Sequence, residues 1–354
     1  MGKKKKTSGK WNLKKILLVA GFVVLVICLV VGFIYYKTNL EANFFVQGDT
    51  HKYLLIDRDD TFDDVVVKLQ ETGTVKNIQS FIRTAKNNGY PESMVPGRYE
   101  LEDGMSNYML VHRLINGRQT PLRITFNNIR TKEVLAQRLS KQMMMDSLEM
   151  INALNNDTLL SRYGLTRPTA VALFIPNTYE VYWDISPEKL MDKMKVEYDK
   201  FWTEERLQKL NDVGLTQLEV STLASIVDEE TNKKDEKPLI AGLYLNRLNK
   251  GMPLQADPTV KFAVQDFSLR RIYSGHLETD SPYNTYKHAG LPPGPIRIPS
   301  TEGIDAVLNY VDHDYMYMCA REDRSGYHNF ATTFEEHLKN ASKYRNTLNQ
   351  RGVQ

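Results

Sequence analysis

Hydrophobic and polar positions divide the chain into one long apolar segment near the N-terminus and a body of shorter apolar patterns. Residues 16–36 carry no charge, and as a helix rising about 1.5 Å per residue they would cross about 30 Å of hydrocarbon. In the body, helix-like and strand-like segments follow one another without a repeat, which predicts an α+β fold. The predicted strands are 52–56, 98–100, 122–126, 315–320 and 327–331. The predicted helices are 61–72, 78–88, 105–116, 131–139, 187–210, 216–231, 240–249 and 334–350.

The helix predicted from Thr216 carries an unusual acidic residue. Thr216 and Glu219 have the spacing of a capping box, which accounts for Glu219 as a cap. At about 100° per residue, Glu230 falls on the same apolar face as Leu223 and Val227. Burial on such a face raises the pKa of a carboxyl group, and a proton held near neutral pH is what a general acid requires. The pattern therefore predicts Glu230 as a general acid.

A structural alternative for Glu230 is a carboxylate at the end of a helix, within the charged run 228–237. The other acidic residues of that run are predicted to form a solvated face. Periodicity by itself leaves both interpretations of Glu230 open.

Charge changes the interpretation of the N-terminus. The chain has a net charge of +3, but residues 1–15 contain seven lysines and no acidic residue, and without them the remainder is slightly acidic. We therefore predict a cytoplasmic basic tail at 1–15, a transmembrane helix at 16–36 and a body on the extracytoplasmic, or periplasmic, side. A cleaved signal peptide is the alternative, but the apolar segment is long for one. The basic residues indicate no nucleic-acid surface.

Candidate binding residues occur mainly in the segment 251–300, which is rich in proline, glycine and asparagine. A long irregular segment in a folded body is commonly functional, although a proline-stiffened surface loop is the simpler interpretation. Aromatic faces next to amides and hydroxyls suit carbohydrate. Asp257 has a further structural interpretation as the cap of a helix beginning at Pro258. The candidates for substrate binding are Gln255, Asp257, Tyr283, Asn284, Tyr286, Asn177 and His328.

Other classes of site leave no signature in the sequence. The seven histidines show no metal-ligand spacing, and the chain has no HExxH, Walker, GxSxG or GxGxxG motif. We therefore predict no metal and no cofactor. Cys28 lies within the apolar segment and Cys319 in the body, so no disulfide between them is expected.

Several segments together resemble the YceG-like family, the MltG-type endolytic murein transglycosylases. The similarity covers roughly residues 16–345. In that family the catalytic glutamate immediately precedes the threonine of the first motif, a position that corresponds to Glu230. The segments that carry the resemblance are Ala224–Thr231 (ASIVDEET), Asn246-Arg247, Leu254–Val260 (LQADPTV), Tyr283–Tyr286 (YNTY), Gly290–Pro295 (GLPPGP) and His328-Asn329-Phe330.

The resemblance also implies a domain layout. The pattern along the chain predicts a linker at 37–51 and a small mixed module at 52–121, and the resemblance implies that this module is LysM-like and that 122–350 is the catalytic domain. This chain departs from the family in two places. Asp228 and Glu229 stand where members often have Glu-Lys, and Asn177 stands where many have aspartate after an aromatic residue and proline.

The function implied by the resemblance is cleavage of the MurNAc–GlcNAc bond in nascent peptidoglycan strands, leaving 1,6-anhydroMurNAc ends. The implied partners are glycan strands, the membrane and cell-wall synthases. A rival is a muramidase-like hydrolase that uses water and a second carboxyl group, for which Asp257 is the candidate. A rival of another class is a non-catalytic cell-wall-binding scaffold.

Overall fold

The computed structural model describes residues 13–46, 48, 50–323 and 325–350, with only the backbone described at 348–350. Most of the predicted basic tail therefore lies outside the described residues. The chain forms two compact units. The first comprises the chain up to Leu122 together with Tyr182–Asp184, and the second comprises Arg123–Val181 and the chain from Ile185 onward. The predicted mixture of helices and strands is confirmed in both.

A long apolar helix, α1, opens the described chain at Leu13–Tyr35 and continues as a π-helical turn at Tyr36–Leu40. None of the residues of α1 is buried, and the segment Leu13–Leu40 is long and apolar enough to cross a membrane. Because so much exposed apolar surface is unfavourable in water, this helix is suited to membrane anchoring. It begins slightly earlier than predicted.

Along the chain, the first unit has two helices between its two paired strands and a third helix after the second strand. β1 and β2 are antiparallel, with Lys52 opposite Leu101. Thr61 forms the predicted N-terminal cap of α2, in a capping box with Asp64. Large side chains such as Phe81 fill the core between the sheet and the helices. The elements are β1 (Lys52–Ile56), α2 (Phe62–Glu71), α3 (Ile78–Asn87), β2 (Gly97–Leu101) and α4 (Asn107–Ile115).

The segment predicted as a linker, 37–51, is packed in part against the first unit. Phe44 is fully buried in the core of the first unit, and its backbone bridges to Val75. The carbonyl of Thr38 accepts hydrogen bonds from the side chains of Thr84 and Asn107, at 3.2 and 2.8 Å. The first part of this segment is therefore packed against α3 and α4, because it supplies both an apolar side chain and backbone acceptors.

The second unit is larger than the first and mostly helical. Along the chain, its elements are β3 (Leu122–Thr125), α5 (Lys132–Ser140), α6 (Ser147–Leu154), α7 (Asp157–Ser161), a 3₁₀ turn (Ala170–Leu173), β4 (Thr178–Val181), α8 (Pro187–Phe201), α9 (Glu204–Val213), α10 (Gln217–Glu230), α11 (Lys237–Asn249), α12 (Asp257–Val264), α13 (Ser274–Leu277), α14 (Thr301–Leu308), β5 (Tyr317–Ala320), β6 (His328–Ala331) and α15 (Phe334–Gln350).

Helix α10 lies at the centre of this unit and packs against α11, α12 and α14. The predicted capping box of Thr216 and Glu219 is present at its start. From Val220 to Asp228 every residue is buried, so nearly the whole circumference of the helix faces protein. This burial brings the C-terminal end of α10, with Glu230, into the interior of the unit.

Two features of the second unit bear on the sequence predictions. The single helix predicted at 187–210 is wrong, because α8 ends at Phe201 and Thr203 caps a separate helix, α9. The predicted C-terminal hairpin is confirmed, with β5 antiparallel to β6 and Ala320 opposite His328. That register fixes the position of His328 on an ordered strand.

Candidate active site

Glu230 is the last residue of α10, where the following residue, Thr231, takes an extended conformation. The helix end is partly buried and opens into a cavity of about 210 Å³. From α11, the hydroxyl of Tyr244 donates a hydrogen bond of 2.6 Å to Oε1 of Glu230. Because Tyr244 is only 1% exposed, this bond holds the carboxyl group in one orientation and leaves Oε2 to the cavity.

The environment of Glu230 favours its protonated form. Burial raises the pKa of the Glu230 carboxyl from 4.5 to about 7. The hydrogen bond from Tyr244 and the nearby His328 oppose this rise, whereas the negative charge of Asp257 adds to it. Since desolvation is the largest effect, the group holds a proton close to neutral pH, as the helical pattern predicts.

The cavity brings together five of the residues predicted for the site: Glu230, Gln255, Asp257, Tyr286 and His328. These residues come from α10, the segment before α12, α12 itself, the loop 281–300 and β6. The complete lining is Glu230, Leu243, Tyr244, Arg247, Leu254, Gln255, Asp257, Tyr286, Met318, Cys319, Ala320 and His328.

Asp257 does not cap α12, so that structural prediction is wrong. The capping position belongs to Ala256, and no side chain caps the helix there. Oδ1 of Asp257 instead accepts a hydrogen bond of 2.6 Å from the hydroxyl of Tyr286. Burial and this bond raise the pKa of the Tyr286 hydroxyl. The pair therefore presents a carboxylate and a phenol ring to the same cavity as Glu230.

His328 is oriented by a buried carboxylate that the sequence did not single out. Glu236 is 2% exposed and accepts two hydrogen bonds from His328, from its backbone N–H at 2.6 Å and at Nδ1 across 3.0 Å. With Nδ1 occupied, Nε2 is the ring nitrogen that can serve a ligand in the cavity.

Arg247 shapes the part of the wall that carries Gln255. Its Nε donates to the carbonyl of Met316, and its Nη1 donates to the carbonyl of Leu254, each at 2.7 Å. The neighbouring Gln255 has φ of +52°, a left-handed conformation that is uncommon for a residue with a side chain and is often found at functional sites. A buried guanidinium thus holds the backbone in the turn that directs Gln255 to the cavity.

The acidic residues next to Glu230 are not a solvated face, and that prediction is wrong. Asp228 is buried and accepts a hydrogen bond from Nζ of Lys237 at 2.5 Å and another from the backbone N–H of Ser300 at 2.6 Å. Glu229 binds Arg130 and Arg297, each at 2.8 Å. These ion pairs attach the end of α10 to the elements around it, so they fix the position of Glu230.

Three predicted binding residues lie outside this cavity. Asn284 is fully buried, and its amide donates to the carbonyls of Leu277 and Thr279 while its Oδ1 accepts from the backbone of Tyr286. Its place is inside the loop that positions Tyr286. Tyr283 lines a different cavity, and Asn177 is exposed in the segment before β4.

Across the residues that the structure describes, no group of three or more His, Cys, Asp or Glu side chains is arranged to hold a metal ion. The side chains of the cavity offer instead one protonated carboxyl, one carboxylate, an imidazole and an amide. Such a set can transfer a proton and form hydrogen bonds to a polar uncharged ligand.

Comparison with known proteins gives relatives over most of the chain. An endolytic murein transglycosylase of Streptococcus pneumoniae (strain D39) is 27% identical over 349 residues, covering 89% of this chain and 63% of the relative. One from Bacillus subtilis (strain 168) is 30% identical over 302 residues, covering 80% and 82%. The chain thus spans less than two thirds of the length of the streptococcal relative.

A solved structure agrees with the fold. The crystal structure of a yceG-like protein from Listeria monocytogenes matches with a TM-score of 0.55 at 25% identity, covering 82% of this chain and 99% of that one. The model of the YceG-like family matches residues 54–343, which include every residue of the cavity. On this evidence the chain belongs to the YceG-like family.

Proposed function

We propose that the protein is a membrane-anchored endolytic lytic transglycosylase of peptidoglycan. The observation that carries the proposal is Glu230, a carboxyl group with a pKa of about 7 that opens into a polar cavity. The names of the relatives, endolytic murein transglycosylases, support the same reaction. The substrate is the MurNAc–GlcNAc bond of a glycan strand.

The first step of the proposed reaction is protonation. Glu230 gives its proton to the oxygen that joins C1 of MurNAc to the GlcNAc leaving group, and the bond between C1 and that oxygen breaks. The hydrogen bond from Tyr244 to Oε1 stabilises the carboxylate that this transfer produces. General acid assistance of this kind contributes about 10²–10⁴-fold to the rate.

In the second step the same group acts as a base. The Glu230 carboxylate takes the proton from the C6 hydroxyl of MurNAc while the C6 oxygen bonds to C1, which closes the 1,6-anhydro ring. Glu230 regains its proton, and no water is consumed. One carboxyl group is sufficient for both steps, because it gives up one proton in the first step and takes one from the C6 hydroxyl in the second.

The remaining cavity side chains are proposed to hold the sugar. Nε2 of His328, the amide of Gln255 and the ring of Tyr286 offer hydrogen bonds and a flat face for hydroxyl and acetamido groups. A direct role in binding remains a prediction from the sequence for three residues, Tyr283, Asn284 and Asn177. Of these, Asn284 supports the site through the loop, by its bond to the backbone of Tyr286.

The anchor helix supports a location at the cytoplasmic membrane. The lysines of the N-terminus favour a cytoplasmic tail, so we propose that both compact units lie on the extracytoplasmic side. A single span keeps the active site near the membrane, where new strands emerge next to cell-wall synthases. We further propose that the module at 52–121 is LysM-like and binds glycan.

The test replaces Glu230 with glutamine in the full-length chain and measures the mass of products from defined strands. We expect loss of anhydro-ended products by at least about 10²-fold, with unchanged release by the matched control Glu204→Gln, an exposed residue of α9. Near-normal release by Glu230→Gln would refute the proposal. Strand binding without turnover by either form would instead favour the scaffold.

A second candidate function has one observation in its favour. Asp257 lines the same cavity as Glu230, and a hydrolase requires a second carboxyl group near the acid. That enzyme would release strands with ordinary reducing ends, heavier by one water than the anhydro form. Product mass therefore separates the two reactions, and Asp257→Asn should abolish hydrolysis while leaving transglycosylation in place.

A further inference from the structure

A second cavity of about 370 Å³ lies in the second unit, apart from the one that holds Glu230. Its walls include Arg130, Lys132, Arg167, Phe262 and Tyr283. We refer to it as the basic cavity, because three of these side chains are cations. Neither its charge nor its aromatic wall is used by the proposed reaction.

Residues of helix α12 line both the catalytic cavity and the small cavity, and α12 and its C-cap line the basic cavity. Asp257 lines the catalytic cavity, Pro258 and Lys261 line a small cavity of about 30 Å³, and Phe262 and Gln265 line the basic cavity. Positions 257, 261 and 265 are four residues apart, as are 258 and 262, so successive turns of α12 and its C-cap line these cavities in order. The eight steps of the helix from residue 257 to residue 265 rise about 12 Å, a distance that a sugar strand or its side branches can cover.

The cations along this path are incompletely neutralised. Lys132 Nζ donates to Oδ1 of Asn155 at 2.5 Å and to the carbonyl of Arg167 at 3.4 Å. Neither Lys132 nor Lys261 has an ion pair among the residues that the structure describes. Burial lowers the pKa of the Lys132 amine, while the charge of Glu133 opposes this fall and that of Arg167 adds to it, so an anionic ligand at this amine would favour its charged form.

Arginine adds to the excess of positive charge. Arg130 lines both the small and the basic cavity, and it shares its carboxylate partner, Glu229, with Arg297. The acidic residue in the wall of the basic cavity, Glu133, is exposed, so solvent screens it. Arg167 is paired with Asp157 outside the cavity wall, so Lys132 is the cation of the basic cavity without an ion pair among the described residues.

Aromatic rings line the same path. The centroids of Phe262 and Tyr283 lie 4.6 Å apart, and the guanidinium of Arg130 lies 5.3 Å from the ring centroid of Phe267. Flat apolar faces beside cations suit a ligand that carries both a sugar ring or alkyl chain and a negative charge.

We propose that the basic cavity, together with the small cavity that shares Arg130 with it, binds carboxylate groups of the peptide stems that branch from the glycan strand. This rests on the proposed function, since it concerns the same substrate. The sugar rings of the strand are uncharged, whereas the stems carry carboxylates, so an unpaired cation near the cleaved bond recognises the stem rather than the sugars. Lys132, in the basic cavity, and Lys261, in the small cavity, are the side chains that make this contact.

The experiment measures strand binding by full-length Glu230→Gln protein in detergent, so that no turnover occurs. The probes are fluorescent strands without lipid diphosphate, either with free stem carboxylates or with those groups converted to amides. We expect Lys132→Gln and Lys261→Gln each to weaken binding of the carboxylate strands by roughly tenfold, with little change for the amidated strands. Lys189→Gln, an exposed lysine of α8, is the charge-matched control.

Three results would overturn the proposal: no loss of affinity in either variant, an equal loss for both probes, or an effect that appears only with strands that keep their lipid diphosphate. If Lys132→Gln lowers the melting temperature, Lys261→Gln decides the outcome. Anhydro-ended products combined with equal binding of both probes would leave the reaction standing and remove the stem site. A preference for the carboxylate strands without anhydro-ended products would support the stem site and refute the proposed reaction.

Discussion

The raised pKa of Glu230 has a consequence for stability that can be measured without substrate. The carboxyl titrates at about 7 in the folded protein against 4.5 for the unperturbed group. At about 1.4 kcal/mol per pH unit, this difference destabilises the folded state by about 3 kcal/mol once the group is ionised. We therefore expect Glu230→Gln, which removes the ionisable group, to be more stable than the wild type at alkaline pH.

The sign of the effect follows from which state ionises first. Below about pH 4.5 the carboxyl is protonated in both folded and unfolded chains, so it adds no penalty. Between 4.5 and about 7 the unfolded chain ionises while the folded one does not, and the penalty grows with pH. Above that range it is constant. The advantage of Glu230→Gln should therefore appear across this window.

The assay is thermal unfolding of wild type and Glu230→Gln in the same detergent, from about pH 4 to about pH 8. We expect melting temperatures that nearly coincide at the acidic end and separate in favour of the variant above pH 7. Glu204→Gln serves as the control, with no pH-dependent difference. A gap that does not change with pH, or a variant that is less stable at alkaline pH, would refute the reasoning.

Three further substitutions have expected outcomes. Tyr244→Phe removes the hydrogen bond to Glu230, so the alkaline limb of the pH–rate profile should move upward by about one pH unit. Glu236→Gln weakens the hold on His328, and we expect kcat/KM to fall about tenfold at unchanged melting temperature. Gly303→Ala would place a methyl group 2.6 Å from a carboxylate oxygen of α10, which should cost about 1–3 kcal/mol of stability, as measured by denaturant unfolding.

The position of Glu230 could be predicted because the helical period depends only on residues that are close in sequence. The capping box at Thr216 set the start of the helix, and apolar residues three, four and seven positions apart set its buried face. The sequence could also place His328 on a strand, since two short apolar segments with a turn between them predict a hairpin.

What the sequence could not reveal depends on contacts between elements. The partner of Glu230, Tyr244, lies on the next helix, and its spacing along the chain identifies no contact. Asp228 was expected in solvent because it lies in a charged run, but the fold brings Lys237 and Ser300 to it. A charged run is solvated only if its helix lies at the surface, whereas α10 is central.

The site residues predicted in the loop 281–300 are of two kinds in the structure. Composition could not separate a residue that lines a cavity from one that holds the loop together. Tyr286 reaches the cavity, although it and Asn284 are polar residues of one short motif. The Asn284 side chain turns inward, where it donates to the carbonyls of Leu277 and Thr279 and accepts from the backbone N–H of Tyr286. The difference arises from buried carbonyls that require donors, which are set by the path of the chain.

In the proposed reaction one carboxyl group gives its proton to the leaving group and then takes a second proton from the C6 hydroxyl, whose oxygen, and not that of water, bonds to C1. Cleavage of defined strands in water enriched in heavy oxygen tests it most directly. We expect anhydro-ended products that contain no heavy oxygen, formed by the wild type and lost in Glu230→Gln. Reducing ends that carry the heavy oxygen, or anhydro ends still formed without the carboxyl group, would contradict it.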